Sequence, residues 1–173
     1  VLIISCCDSR VQESMIFGAD IGDYFIHKNI ANLIPKYNFK NDVSTKAILE
    51  YAIKTLNIPN ILILGHSNCG GIDYSYNKYI NSIFDKKNNS LNHWVKILEN
   101  FYKKLPTKII NFKDNSEIEK KIIKNSIDNL KSYPYIKNLI IKKKLRVYGA
   151  WYNIASGELL YFNDKTKKFK KIN

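Results

Sequence analysis

Short apolar runs mark three predicted strands in the first part of the chain. The run VLIISC (1–6) is almost wholly apolar, which is typical of a strand buried on both faces of a parallel sheet. A second strand is predicted within DYFIHKNIANLIP (23–35), where Pro35 ends the segment, and a third within NILILG (60–65). We expect these segments to pair within one sheet.

Helical periodicity occupies the segments between and after these strands. Residues 42–57, 90–105 and 115–131 repeat apolar side chains at helical spacing, and Asp42 or Ser44 can cap the first of these helices. The apolar faces predicted for the first two helices comprise Ile48, Tyr51, Ala52 and Leu56, and Leu91, Trp94, Leu98 and Phe101. A strand, a helix and a strand with short connections form a βαβ unit, which implies a parallel sheet.

The C-terminal segment predicts antiparallel strands. LRVYGAWYN (145–153) and GELLYF (157–162) read as a strand and its hairpin partner, whereas the lysine-rich tail from residue 165 is expected to fray and the polar stretch 85–90 to form a loop. The predicted fold class is therefore α/β, with a mainly parallel central β-sheet flanked by helices and a C-terminal antiparallel edge hairpin. Residues 1–173 are expected to form a single domain.

The positive charge of the chain changes this interpretation little. The 173 residues carry a net charge of +13, and the only arginines among the 28 basic residues are Arg10 and Arg146. Base readout and bidentate phosphate contacts favour the planar arginine fork, so the many lysines favour a solvated surface over a nucleic-acid interface. No apolar run approaches the roughly 18 to 20 residues that a membrane helix needs. We therefore expect neither a nucleic-acid nor a membrane partner.

The cysteines and the first residue bear on location. An odd number of cysteines, three, does not suit a disulfide framework in a chain of this length, so a reducing compartment and a cytoplasmic location are expected. Val1 opens directly onto a buried strand, which predicts that the chain is truncated at its N-terminus. That interpretation leaves open a targeting segment upstream.

Two polar clusters follow predicted parallel strands, at the edge where open α/β sheets place ligand sites. The clusters are SCCDSRV (5–11) and GHSNCGG (65–71). In the second, His66 and Cys69 are three residues apart on a predicted turn, a spacing that lets an imidazole and a thiolate bind one metal ion. Taken alone, this pair is equally compatible with a buried thiol beside a core histidine.

The first cluster adds a third candidate ligand, the thiol of Cys6. Cys6 and Asp8 are two residues apart, so on an extended segment both side chains project to the same side. Cys7 projects to the opposite side and is predicted to be a small buried residue rather than a ligand.

Three ligands of this kind suit a catalytic zinc site. Cys6, His66 and Cys69 would leave one tetrahedral position open, whereas structural zinc sites use four protein ligands. Asp8 could occupy that position, but Arg10 can hold its carboxylate away in a bidentate pair. The alternative for the last two residues is an ordinary surface ion pair of small energetic value.

These segments resemble the β-carbonic anhydrases. CCDSRV (6–11) and GHSNCGGI (65–72) look like the family's paired C-x-D-S-R and H-x-x-C signatures. The likeness continues through FIHKNIANLIP (25–35), AILEYAIKTLNIPNILILGHSNCGGI (47–72) and VYGAWYNIASGELLYF (147–162), so it covers nearly the whole chain in order.

The resemblance implies a reaction and a role for each matched residue. It implies zinc-dependent reversible hydration of carbon dioxide to bicarbonate and a proton, by attack of zinc-bound hydroxide. The implied zinc ligands are Cys6, His66 and Cys69, and the implied catalytic dyad is Asp8 and Arg10. The implied substrate-binding positions are Phe25, Ile30 and Tyr51, which line a small apolar pocket, and the backbone of Gly70. A homodimer or dimer of dimers is implied as well, in which a partner subunit supplies part of that pocket.

Two matched positions depart from the family pattern. Lys28 stands where many members carry arginine, which replaces a planar fork by a point charge and is expected to loosen a local salt link. Ile3 stands where a bicarbonate-regulated subgroup carries tryptophan, which argues against that form of regulation. The family's N-terminal helices and a substrate-binding glutamine upstream of the first cysteine have no counterpart in these residues.

Two other functions remain open on the sequence. Carbon disulfide and carbonyl sulfide hydrolases share this fold and ligand set, and motifs separate them poorly from carbonic anhydrases. A non-catalytic zinc-bearing or basic binding module is the alternative from another class, and it would require a fourth protein ligand or salt-dependent binding to nucleic acid.

Overall fold

Six strands pair into one sheet within the residues that the computed structural model describes, which are 1–39, 42–82, 89–105 and 115–172. The strands are β1 (Leu2–Cys6), β2 (Phe25–Asn29), β3 (Asn60–His66), β4 (Arg146–Tyr152), β5 (Leu159–Asn163) and β6 (Lys168–Lys171). Their order is β2-β1-β3-β4-β5-β6, with parallel pairing from β2 to β4 and antiparallel pairing from β4 to β6. The predicted α/β fold with a mainly parallel sheet is confirmed.

Helices flank the sheet as predicted. They are α1 (Glu13–Phe17), α2 (Val43–Glu50), α3 (Gly70–Ile80), α4 (Ser90–Val95), α5 (Glu99–Tyr102), α6 (Ser116–Leu130) and α7 (Pro134–Ile141). Asp42 caps α2 by accepting a hydrogen bond from the Thr45 N–H at 3.0 Å, and a π-helical turn over Tyr51–Thr55 continues the helix. The loop predicted at 85–90 lies mostly outside the described residues.

The segment 90–105 differs from the single helix predicted for it. Between α4 and α5 the backbone forms a 3₁₀ turn over Lys96–Leu98. The buried side chains Asn92, Val95 and Leu98 lie on the same side of the segment, so one face is buried through both the helix and the turn.

The C-terminal tail is a strand, so the prediction that it frays is wrong. β6 pairs with β5 in antiparallel register, and Phe169 lies opposite Phe162. The two rings have centroids 5.4 Å apart, so one apolar residue among lysines is enough to fix this edge strand. The predicted hairpin of β4 and β5 is confirmed, and β6 extends it.

The main core lies between one face of the sheet and helices α2, α6 and α7. Helix α6 crosses β3 and β4 at two glycines. A Cβ atom at Gly65 would lie 2.7 Å from the Cδ1 atom of Ile123, and one at Gly149 would lie 2.9 Å from its Cγ2 atom. The absence of side chains at these positions lets α6 approach the strands that end at the candidate site.

Fewer helical residues pack on the opposite face of the sheet. The short helix α1 packs there, beside a groove of about 400 Å³ whose lining includes Ile3, Leu62 and Tyr148. The Tyr148 side chain remains 45% exposed, so apolar surface of the central strands faces outward. Within the described residues, no helix has the length and apolar character needed to cross a membrane.

Candidate metal centre

Three metal-ligating side chains converge where β1 and β3 end. Because these strands are adjacent and parallel, their C-terminal residues Cys6 and His66 reach the same edge of the sheet. Cys69 follows on the turn into α3 as its N-cap residue. The three residues are buried, and one ligand atom from each lies within 4.8 Å of the others. The arrangement could hold a metal ion.

The His66 ring is oriented for metal binding. Its Nδ1 atom lies 2.9 Å from the Ser67 carbonyl oxygen, so Nδ1 carries the proton and donates it to that oxygen. The Nε2 atom is buried and has no hydrogen-bond partner among the described residues. A buried nitrogen without a partner is unfavourable, and a bound cation would satisfy it.

The two sulfur atoms influence each other's protonation. Cys6 Sγ and Cys69 Sγ lie 3.8 Å apart. The hydrogen bond between the two sulfur atoms lowers the pKa of the Cys6 thiol, while the same bond and burial raise the pKa of Cys69. One thiolate therefore forms readily, and the second needs a positive charge nearby.

Asp8 lies beside this group and accepts hydrogen bonds from Arg10. The Asp8 Oδ2 atom is 4.0 Å from His66 Nε2. Arg10 donates from Nε to Oδ1 at 2.9 Å and from its Nη2 atom to Oδ2 at 2.7 Å, and its backbone N–H also reaches Oδ1. These hydrogen bonds hold the pKa of Asp8 far below its usual range, so the carboxylate stays charged. The sequence-predicted pair is formed, with both carboxylate oxygens engaged.

Glu119 supports the turn that carries Cys69, and sequence reasoning missed this contact. Its Oε1 atom accepts a hydrogen bond from the Cys69 N–H at 3.1 Å, and Oε2 accepts one from Trp151 Nε1 at 2.9 Å. Burial raises the pKa of Glu119, while both hydrogen bonds oppose that effect. The sequence signal was a carboxylate among the apolar residues Ile118 and Ile122 on the predicted buried face of α6, where an unpaired charge is rarely found.

Lys28 keeps the local salt link that its replacement of arginine was expected to loosen. Its Nζ atom lies 2.9 Å from Glu13 Oε1 and also donates to the Val11 carbonyl at 2.6 Å. Glu13 is 2% exposed and also accepts a hydrogen bond from the Ser5 hydroxyl. This cluster ties α1 to β1 and β2, on either side of the loop that carries the aspartate–arginine pair.

The predicted substrate-binding residues separate into two groups. Ile30 lies near the metal-binding turn, since a Cβ atom at Gly71 would be 2.6 Å from its Cγ2 atom, and Gly70 is exposed at the start of α3. Phe25 pairs with Leu2 at the opposite end of β1, and its ring centroid lies 5.9 Å from that of Tyr51. One chain therefore does not bring Phe25 and Tyr51 to its own candidate metal ligands.

Cys7 is exposed, so the prediction that it is buried is wrong. β1 ends at Cys6, and the Cys7 N–H donates to the Asn29 carbonyl just beyond the strand. Strand alternation no longer buries a side chain at that point. Cys7 does not belong to the group of converging ligand atoms, as predicted.

Comparisons with known sequences point to one family. The sequence model of the family described as carbonic anhydrase matches residues 1–159. Beta carbonic anhydrase 3 of Arabidopsis thaliana is 36% identical over 163 residues, which are 90% of this chain and 61% of the relative. Beta carbonic anhydrase 5, chloroplastic, of the same plant is 34% identical over 159 residues, or 89% of this chain and 51% of the relative. The chain thus spans less than two thirds of either plant relative.

Solved structures give the same picture. The β-carbonic anhydrase CcaA matches with a TM-score of 0.83 and 29% sequence identity, over 99% of this chain and 77% of that one. A structure of two tetrameric β-carbonic anhydrases from the filamentous ascomycete Sordaria macrospora matches with a TM-score of 0.75 and 28% identity, over 94% of this chain and 79% of that one.

Proposed function

The chain belongs to the β-carbonic anhydrase family, and from this premise we propose that it catalyses the reversible hydration of carbon dioxide to bicarbonate. The observation that carries the proposal is the convergence of Cys6, His66 and Cys69 beside an Asp8 carboxylate held by Arg10. A buried metal-binding group next to a restrained carboxylate suits activation of water better than it suits a purely structural site.

Zinc is the metal that the ligand atoms fit best. Two Zn–S bonds of about 2.3 Å at a tetrahedral angle place the sulfur atoms about 3.8 Å apart. The observed separation of Cys6 Sγ and Cys69 Sγ is 3.8 Å. Thiolate and imidazole are also the donors that zinc accepts readily, and three of them leave one coordination position for a small molecule.

The aspartate–arginine pair would orient the reacting water. Zinc, when bound, supplies a water acidic enough to react near neutral pH. Asp8 is charged and can accept a hydrogen bond from that water, which directs an oxygen lone pair towards carbon dioxide. Arg10 keeps the carboxylate in this role, because both carboxylate oxygens already bind its guanidinium group.

A second copy of the chain would complete the apolar substrate pocket. Tyr51 is 50% exposed and packs against Phe25 away from the chain's own ligands, while Ile30 lies beside them. An isologous dimer could place Tyr51 and Phe25 of one chain over the metal site of the other chain. The tetrameric structures from Sordaria macrospora support assembly of this kind. The cytoplasmic location stays a prediction, since one relative is named chloroplastic.

The direct test is stopped-flow hydration of carbon dioxide by the purified chain, with zinc content measured in parallel. We expect about one zinc per chain and hydration that a chelator abolishes and zinc restores. A Cys69→Ser variant without zinc is the matched control. Stoichiometric zinc without hydration would contradict the enzyme proposal, and hydration without metal would contradict the zinc site.

The same protein should be assayed with carbonyl sulfide and carbon disulfide. Turnover of carbon dioxide far above that of either sulfur compound would support a carbonic anhydrase. The reverse preference would assign the chain to the sulfur-compound hydrolases of this fold.

A further inference from the structure

A lysine-lined cleft lies between α6 and the hairpin of β5 and β6. It encloses about 440 Å³, which is within the range of small-molecule sites. Five lysines line it, namely Lys120, Lys121, Lys124, Lys167 and Lys168. None of the three candidate metal ligands borders this cleft, so it is separate from the candidate active site.

Carboxylates neutralise only part of this charge. Lys120 pairs with Glu117 at 3.3 Å, and Lys167 pairs with Asp164. In the described part of the chain, the other three lysines of the cleft have no carboxylate partner, namely Lys121, Lys124 and Lys168. These three ammonium groups therefore border the cleft without a direct ion pair, although Asp164 acts on Lys124 at longer range and Glu117 lines the cleft beside Lys120.

The spacing of the lysines on α6 makes this arrangement unfavourable for the protein alone. Lys124 is four residues from Lys120 and three from Lys121, so the three side chains share one helix face. Like charges at this spacing repel each other and destabilise a helix. An anion in the cleft would relieve the repulsion.

The floor of the cleft is apolar and aromatic. Phe162 and Phe169 face each other across β5 and β6, with ring centroids 5.4 Å apart, and Leu160 adjoins them. Several positive charges around such a floor suit a compact anion of high charge, because lysine binds phosphate as a point charge. A half-open cleft of this size also suits a small molecule better than a nucleic acid, which needs a continuous basic track.

We propose that this cleft binds a small anion that carries a chain of phosphate groups. Inorganic triphosphate and a nucleoside triphosphate share this chemistry. The second would also place its base on the phenylalanine rings. The site goes beyond the proposed carbon dioxide hydration and does not depend on it.

Trp151 offers a direct readout of binding. The Lys120 Nζ atom lies 4.7 Å from the centroid of the Trp151 ring. An anion that draws Lys120 into the cleft should change the fluorescence of this tryptophan. Sodium tripolyphosphate and ATP are the two probes, titrated at constant ionic strength into the zinc-loaded chain.

Replacement of the three unpaired lysines tests the site. The Lys121→Gln, Lys124→Gln, Lys168→Gln variant should bind tripolyphosphate and ATP about ten-fold or more weakly, because each lost charge contact weakens binding. The matched control replaces the exposed lysines Lys142, Lys143 and Lys144 by glutamine, which removes the same net charge elsewhere. Both variants keep the metal ligands, so chelation of zinc by the probes would affect them alike.

The outcomes separate the two sources of phosphate. Lysine-dependent binding of both probes with equal affinity identifies inorganic polyphosphate, whereas tighter ATP binding that Phe169→Leu abolishes identifies a nucleotide. Equal binding by the parent chain and the cleft variant would overturn the proposal. An equal loss of binding in the control variant would also overturn it, because it would assign binding to net charge alone.

Discussion

At the scale of single residues, Arg10 determines which partner Asp8 can reach. The Asp8 carboxylate lies 4.0 Å from a candidate metal ligand and keeps its charge, so a bound cation would attract it. Arg10 opposes that movement through two side-chain hydrogen bonds. Since the Arg10 side chain is 50% exposed, the pair matters for the site more than for folding.

Arg10→Ala should abolish most hydration while zinc stays bound. Without the guanidinium group, Asp8 is free to bind the metal and to block the open position. We expect a loss of about 10- to 100-fold or more, as for other groups that orient a metal site. Stopped-flow hydration and zinc analysis measure the two effects separately.

Two further variants control this prediction. Arg10→Lys keeps the charge but loses the fork, so its activity should fall between those of the parent and Arg10→Ala. Lys142→Ala removes a distant exposed positive charge and should leave hydration unchanged. Full activity of Arg10→Ala would refute the role given to the pair.

Glu119→Gln should weaken zinc binding through the Cys69 backbone. The carboxylate accepts one N–H group on each oxygen, whereas a carboxamide has one oxygen and turns an NH₂ group towards the other donor. We expect zinc affinity to fall by about 10- to 100-fold. Competition with a calibrated chelator measures this change.

A second substitution distinguishes positioning from mere stability. Trp151→Phe removes the indole N–H group that the carboxamide of Glu119→Gln cannot satisfy. The Glu119→Gln, Trp151→Phe double variant should therefore bind zinc more tightly than Glu119→Gln, with an affinity closer to that of Trp151→Phe alone. Glu117→Gln, at an exposed position of the same helix, should bind zinc like the parent. A drop in thermal stability of Glu119→Gln with unchanged zinc affinity would assign Glu119 a purely structural role.

The sequence predicts the ligands better than it predicts their support. Strand ends and residue spacing bring Cys6, His66 and Cys69 together, because parallel pairing of two predicted strands fixes where they end. Glu119 is 50 positions from Cys69, so local patterns cannot reveal their hydrogen bond. Cys7 was misjudged because strand alternation holds only while the strand continues.

At the scale of secondary structure elements, close packing of α6 on β3 and β4 positions the turn after β3. Gly65 directly precedes His66, and its missing side chain leaves room for Ile123. The close approach of α6 brings Glu119 within reach of the Cys69 N–H. Helix α6 therefore links the packing of the sheet to the geometry of the proposed metal site.

Gly65→Ala should destabilise the fold and weaken zinc binding together. Its Cβ atom would lie 2.7 Å from Ile123 Cδ1 and 2.8 Å from Ile123 Cγ1, so the Ile123 side chain must leave its position or α6 must move away from β3. Overpacking of this kind costs typically about 1–3 kcal/mol in the free energy of unfolding. Urea unfolding at saturating zinc, with chelator competition, measures both consequences.

Gly70→Ala is the matched control for this prediction. No atom lies within 4 Å of a Cβ atom built at Gly70, so its stability should equal or slightly exceed that of the parent. If Gly65→Ala proves as stable as Gly70→Ala, the contact between α6 and β3 yields without cost and the proposed link fails.

The positions of β1 to β5, α2 and α6 were predicted well, whereas α1, α7 and β6 were not predicted and the buried faces were predicted less well. Helix α2 and the π-helical turn that continues it bury Thr45, Leu49, Ala52 and Ile53. The predicted face is displaced by about one position, because several neighbouring apolar residues compete for the same stripe. The tail was wrongly predicted to fray because its lysine-rich composition outweighed one apolar residue, Phe169, which packs on Phe162.

At the scale of the whole molecule, exposed apolar groups favour a second copy of the chain. Tyr148 and Tyr51 are 45% and 50% exposed, although both lie on or beside central elements of the fold. Exposed apolar surface of this kind often marks an interface between proteins. If a partner covers Tyr51, each substrate pocket contains residues of two chains.

Complementation between two inactive variants tests this arrangement. Arg10→Ala lacks a working aspartate–arginine pair but keeps Tyr51. Tyr51→Asp keeps the pair but places a charge in the apolar pocket, and its exposed position lets the variant fold. If Tyr51 serves the partner's site, a mixed dimer contains one site in which both the pair and the tyrosine are intact. Random pairing of equal amounts should then restore about a quarter of the parental hydration rate.

The mixture should be unfolded and refolded together so that subunits exchange, with zinc present throughout. Each variant refolded alone should keep no more than about a tenth of the parental rate. Sedimentation velocity should show dimers or larger assemblies in every sample. If Tyr51 served its own chain's site, both sites of a mixed dimer would stay defective and the mixture would remain as inactive as its components. Recovered hydration therefore requires a pocket shared between chains, because no site within a single chain of the mixture carries both intact residues.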